Sequence, residues 1–186
     1  MIFNEHSTLA EQHAFLSPST YHWINYDDDK LEQRWKTARA AVRGVLLHAW
    51  AAESIKLRRK QPNTKDSVNQ YVNDCIKFNM VPEQVLFYSV NAFGTADAIS
   101  FENGVLRISD LKTGVTKASF QQLEVYAAYF CLEYDIKPHM IEIELRIYQK
   151  KEVHLHIADP DRIAQIMETV VRFDERIEAL KREDRR

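Results

Sequence analysis

The sequence predicts an α/β fold with a central mixed β-sheet flanked by helices. Two observations carry this. Helical spacing, strand-like alternation and turn residues follow one another in the order helices, three strands, helix, two strands, helix. Two of the three middle strands flank Asn103-Gly104, the dipeptide most strongly tied to a two-residue hairpin turn. At 186 residues, with 45% hydrophobic and 28% charged residues, the chain reads as one domain with room for a true core.

In chain order, Ser17-Pro18 in the segment LSPST reads as a helix start, with Ser as cap and Pro in the first turn. The acidic turn Asp27-Asp28-Asp29 can cap the next helix, expected from about Leu31 to Arg59 on the spacing of Leu31, Trp35, Ala38, Val42 and Ala49. Gly44 interrupts that run, so it either weakens the helix or admits a close neighbour. Asp66 or Ser67 caps a shorter helix to about Asn79, stopped near Pro82. These N-terminal helices cover residues 16–80.

Strands are expected at Gln84–Val90, Thr95–Phe101 and Val105–Leu111, joined as a meander. Helical spacing returns over Ala118–Tyr134, strands over Met140–Tyr148 and Glu152–Ala158, which closes a core of residues 84–158. Asp159-Pro160 opens a last helix, 160–183.

With Asn103 and Gly104 as the turn, Phe101 faces Leu106, Ile99 faces Ile108 and Asp97 faces Asp110, all on one side of the sheet. Two facing carboxylates repel, so a cation belongs between them. Lys112 projects from the same side if the strand continues. Two acids and a lysine at one strand end form a candidate site for a divalent metal.

Composition excludes several classes. No run reaches the length of a membrane span and the N-terminus lacks the regions of a signal peptide, so a cytoplasmic protein without membrane partners is expected. Two cysteines, Cys75 and Cys131, can build neither a disulfide framework nor a four-thiolate cluster. A formal net charge of −2 gives no global pull on nucleic acid, which leaves local patches such as Arg39 and Arg43, four apart on one helix face.

The order Gly94-Thr-Ala-Asp97, Asp110-Leu-Lys112-Thr-Gly114 and Gln122-x-x-x-Tyr126, preceded by LSPST and by Arg43-Gly44-Val-Leu-Leu-His48, resembles the PD-(D/E)XK nuclease superfamily in its RecB-like branch. The matched motifs span residues 16–126. The resemblance implies a restriction-endonuclease-like core and a metal-dependent deoxyribonuclease. It is similar to compact, phage-type recombination exonucleases that lack the iron–sulfur cluster of some relatives.

On that resemblance, Asp97, Asp110, the Leu111 backbone carbonyl and His48 hold Mg²⁺ or Mn²⁺, ions suited to carboxylate oxygen, with imidazole favouring manganese. Lys112 orients water and offsets charge on the phosphate. Gln122 and Tyr126, four apart on a helix, line the site and contact the strand. Thr113 and Lys117, in a small loop before that helix, join Arg39 and Arg43 as DNA contacts. The implied partner is DNA, with a homo-oligomer or a single-strand-annealing recombination partner as further company. The alternatives are a nuclease-fold protein that binds nucleic acid or a partner without cutting, and a hydrolase of small phosphoesters.

Overall fold

The computed structural model describes residues 4–9, 12–114 and 119–184. The chain divides into two compact units, Met1–Val42 and Arg43–Arg186.

In the first unit a 3₁₀ helix, Pro18–Asn25, begins where Ser17-Pro18 predicts. Ser17 does not cap it through its side chain; its carbonyl instead accepts the Trp23 indole N–H at 2.9 Å. Asp27 does cap the long helix α1, Asp28–Lys56, by accepting the Lys30 N–H at 2.8 Å. Phe15 meets Trp35 edge-on, with ring centroids 5.2 Å apart.

The second unit is α/β. Its five strands, β1 (Val81–Ser89), β2 (Ala92–Glu102), β3 (Val105–Leu111), β4 (Glu142–Gln149) and β5 (Glu152–Ile157), lie in sequence order in one sheet. All neighbours are antiparallel except β3 and β4, so the sheet is mixed. The parallel step comes from α3 (Gln121–Glu133), which fills the connection between those strands. The architecture is consistent with a restriction-endonuclease-like core.

Two apolar clusters sandwich the sheet. On one face, Leu123, Ala127 and Phe130 of α3 and Ile163 of α4 (Pro160–Glu183) pack on Leu106, Ile108, Ile143, Leu145 and Ile147. On the other, Ala51 and Ile55 of α1 join Tyr71, Val72, Cys75 and Ile76 of α2 (Ser67–Lys77) over Ala98, Leu111 and Tyr148. Asp66 starts α2 by accepting the Val68 and Asn69 N–H groups at 3.0 and 3.4 Å.

Asn103 and Gly104 turn the β2–β3 hairpin with φ of 53° and 77°, both left-handed as a type I′ turn requires. The expected register holds from Glu102↔Val105 to Ala98↔Ser109 and ends there. Asp97 and Asp110, expected to face each other, are therefore not a ladder pair.

The cause is local. Ala96 packs with α3 whereas Ala98 packs with α1 and α2, although strict alternation would give them one face. Alternation is interrupted at Asp97. β1 also begins earlier than predicted, since Pro82 sits within an edge strand, where its missing N–H is tolerated. Among the described residues no helix is long and apolar enough to cross a membrane.

Candidate functional site

The interruption in β2 organises the site. Asp97 lies where the ladder stops, and its Oδ2 accepts the Leu111 N–H at 2.9 Å. Leu111 thus enters through its amide, with its side chain buried beneath. From α1, His48 places Nδ1 at 3.3 Å from the same Asp97 oxygen. That hydrogen bond raises the His48 pKa above its ordinary value; burial opposes it, and the charges of Asp97, Asp110 and Glu83 reinforce it.

Glu83 completes a group that sequence reasoning missed. The β1–β2 register, Pro82↔Ala98 and Gln84↔Ala96, puts it opposite Asp97 by count. Its φ is 54°, a left-handed conformation uncommon for a glutamate and of the kind that persists at functional sites. Ligand-type atoms of His48, Glu83 and Asp97 lie within 4.8 Å of one another.

Asp110 is 4% exposed, on the side of β3 that faces α3. Its Oδ1 accepts the Lys112 ammonium at 2.9 Å, and among the described residues its buried Oδ2 has no partner. Burial first, and the charge of Asp97 second, push its pKa up against the pull of Lys112 and His48. Tyr71, buried on α2, is pushed well above its ordinary value, mainly by burial, with Cys75, Asp97, Glu83 and Asp110 adding to it. The carboxylates are thus close enough to act on one another and on the same neighbours.

A buried carboxylate oxygen without a partner among the described residues, two further carboxylates and an imidazole fit a hard divalent cation such as Mg²⁺ or Mn²⁺. The set draws on α1, β1, β2 and β3.

Lys112 also donates to Gln122 Oε1 at 3.0 Å, and Tyr126 donates to the Thr95 carbonyl at 2.7 Å. Hence Asp97, Asp110, Lys112, Gln122, Tyr126 and His48 converge, but Asp97 and Asp110 do so through the end of the ladder and not across it.

Gly44 has a definite task. A Cβ there would stand 2.9 Å from Thr113 Oγ1, so its absence lets α1 approach the loop that follows Lys112. Thr113 is otherwise exposed, as is Arg43. Arg39 is exposed in the first unit, and Lys117 lies outside the described residues.

Residues 80–182, more than half of the chain, match the family model described as Protein of unknown function (DUF2800). The chain belongs to the DUF2800 family. The DUF2800 match takes in Glu83, Asp97, Asp110, Lys112, Gln122 and Tyr126, with His48 upstream of it. No solved structure matches the chain.

Glu83 was hidden because Pro82 reads as a stop and the strand was expected to begin at Gln84. The signal available was the meander itself. Extending the β1–β2 hairpin back by one residue from Gln84 brings a third acid opposite Asp97.

Proposed function

We propose that this protein is a divalent-metal-dependent deoxyribonuclease of the PD-(D/E)XK type, in the RecB-like branch, acting in the cytoplasm as an exonuclease in DNA recombination, repair or phage DNA processing. The observation that carries the reading is the gathering of His48, Glu83 and Asp97 ligand-type atoms within 4.8 Å of one another, beside a buried Asp110 that feels the charges of Asp97 and His48, holds the Lys112 ammonium and has one oxygen without a partner among the described residues. A module that only binds has no physical need to bury a carboxylate beside two others.

Asp97, Asp110, Glu83, His48 and the Leu111 carbonyl are the groups that would hold Mg²⁺ or Mn²⁺. Such an ion supplies Lewis acidity toward a phosphate oxygen and lowers the pKa of bound water. Lys112, held by Asp110, carries positive charge beside that position, where it orients water and offsets charge developing on a phosphodiester. Leu111 N–H and His48 both bond one oxygen of Asp97 and fix its rotamer. Arg39, Arg43, Thr113 and Lys117 are the proposed DNA contacts. Preference for DNA ends, and a homo-oligomer or annealing partner, rest on the resemblance alone.

The test is incubation with linear, circular and single-stranded DNA in Mg²⁺, Mn²⁺ or EDTA, alongside Asp110→Asn and Lys112→Ala. Expected are loss of linear DNA with metal only, sparing of closed circles, and loss of at least about a hundredfold in rate in both variants. Intact substrate under every condition, or variants as active as wild type, would overturn the reading.

A further inference from the structure

We propose that Gln122 and Tyr126 form a bracket that holds the Lys112 ammonium in place, and are positioning residues instead of contacts to a bound strand. This rests on the reading of Lys112 as the group that orients water.

The hydrogen bonds run in one sense. An ammonium only donates, so the Gln122 amide turns Oε1 to Lys112, at 3.0 Å. That leaves Gln122 Nε2 pointing to Tyr126 Oη, at 3.4 Å. The single Tyr126 O–H is given to the Thr95 carbonyl, at 2.7 Å, so Oη receives Gln122 through a lone pair. No step can be reversed without leaving donor against donor. Tyr126 has no second proton for a phosphate.

The far end of the bracket is built into the sheet. Thr95 lies two residues before Asp97 on β2, and a Cβ at neighbouring Gly94 would stand 3.0 Å from Tyr126 Cε1, so the ring seats against bare backbone. Lys112 is thereby held from two sides, by Asp110 Oδ1 at 2.9 Å and by Gln122. A flexible four-carbon stem gains a fixed end, referenced to the strand that carries Asp97.

A strand contact and a lysine bracket differ in what their loss changes. Loss of ground-state binding raises KM, whereas misplacing a group that acts in the transition state lowers kcat. End-labelled linear DNA with Mn²⁺ is therefore cut by wild type, Tyr126→Phe, Gln122→Ala, Gly94→Ala, Lys112→Ala and the double variant Lys112→Ala/Tyr126→Phe. Expected for Tyr126→Phe and Gln122→Ala is a fall in kcat of about ten- to a hundredfold with KM little changed. Gly94→Ala, which moves the ring by only a few tenths of an ångström, loses less. Tyr126→Phe adds no further loss once Lys112 is alanine. A raised KM at unchanged kcat, or full additivity with Lys112→Ala, overturns the bracket.

A second readout needs no substrate. ¹³C relaxation of the Lys112 methylenes in the metal-free protein should show an ordered side chain in wild type and a mobile one in Tyr126→Phe and Gln122→Ala. Equal mobility in all three overturns the bracket. Should wild type cut no DNA, the nuclease reading falls, and the methylene dynamics still decide the bracket by themselves.

Discussion

Asp110 shows how a single residue can oppose the stability of its own fold. Burial and the neighbouring Asp97 both favour its neutral form, and one of its oxygens has no partner among the described residues. Because its folded pKa lies above the unfolded value, its contribution to stability is fully present below about 3.9 and is lost as the pH rises through the folded value. His48, also raised, repeats the sign in a higher window that begins near 6.5. Asp110→Asn should therefore melt higher than wild type in EDTA at neutral pH, by about 2–4 °C for each kcal/mol relieved. Added Mn²⁺ should raise the wild-type melting temperature and leave that of the variant unchanged. Thermal unfolding with and without Mn²⁺ decides it, and a lower melting point for the variant in EDTA contradicts the account. The pair Asp110 and Lys112 was legible in sequence because D-x-K sits at the end of a hairpin whose turn was unambiguous. Glu83 was less visible, because Pro82 reads as a stop and only carrying the β1–β2 register back past Gln84 brings it opposite Asp97.

At the scale of elements, α1 and the loop after β3 meet at Gly44. Alanine in a helix interior is favoured over glycine by about 1 kcal/mol, but here its Cβ would sit 2.9 Å from Thr113 Oγ1. The two effects oppose, so Gly44→Ala alone should change stability little. In the double variant Gly44→Ala/Thr113→Ala the hydroxyl is gone, and the helix gain of about 1 kcal/mol should emerge. Chemical denaturation of the four proteins in this cycle measures the coupling, and strict additivity would place the contact elsewhere. Sequence left Gly44 open between a weak point and a close approach. Only the fold could decide, because the partner is far away in sequence. The same holds for β2: Asn103-Gly104 set the register of the hairpin, yet no local feature marks the place where alternation stops at Asp97.

Across the second unit as a whole, α4 fastens the outer hairpin. Asp174 accepts the Ser89 hydroxyl at 2.6 Å and the Asn91 amide at 2.7 Å, while Lys181 and Glu178 also bond Asn91. These bonds hold the Asp174 carboxyl below its ordinary value, so its stabilising effect is present above the unfolded pKa and is lost as the pH falls through the folded one. Asp174→Asn should lower the melting temperature at pH 7, and the gap should close as the pH falls below about 3.9. A gap independent of pH would assign the loss to something other than charge. The layered α/β plan was readable from periodicity, since long helices and the β3 run are unambiguous. The clasp between α4 and the β1–β2 turn was not, because it joins polar residues more than eighty positions apart.

The two apolar clusters that sandwich the sheet meet the candidate site from opposite sides. His48 rides on the helix seated in one of them; Gln122 and Tyr126 ride on the helix seated in the other. The site is thus a vernier between two layers. A substitution deep in either cluster that slides its helix along the sheet changes the spacing between imidazole and ammonium without touching a single polar group. Variation in such buried positions is then a route by which the proposed activity can be tuned or lost while every residue of the site stays as it is.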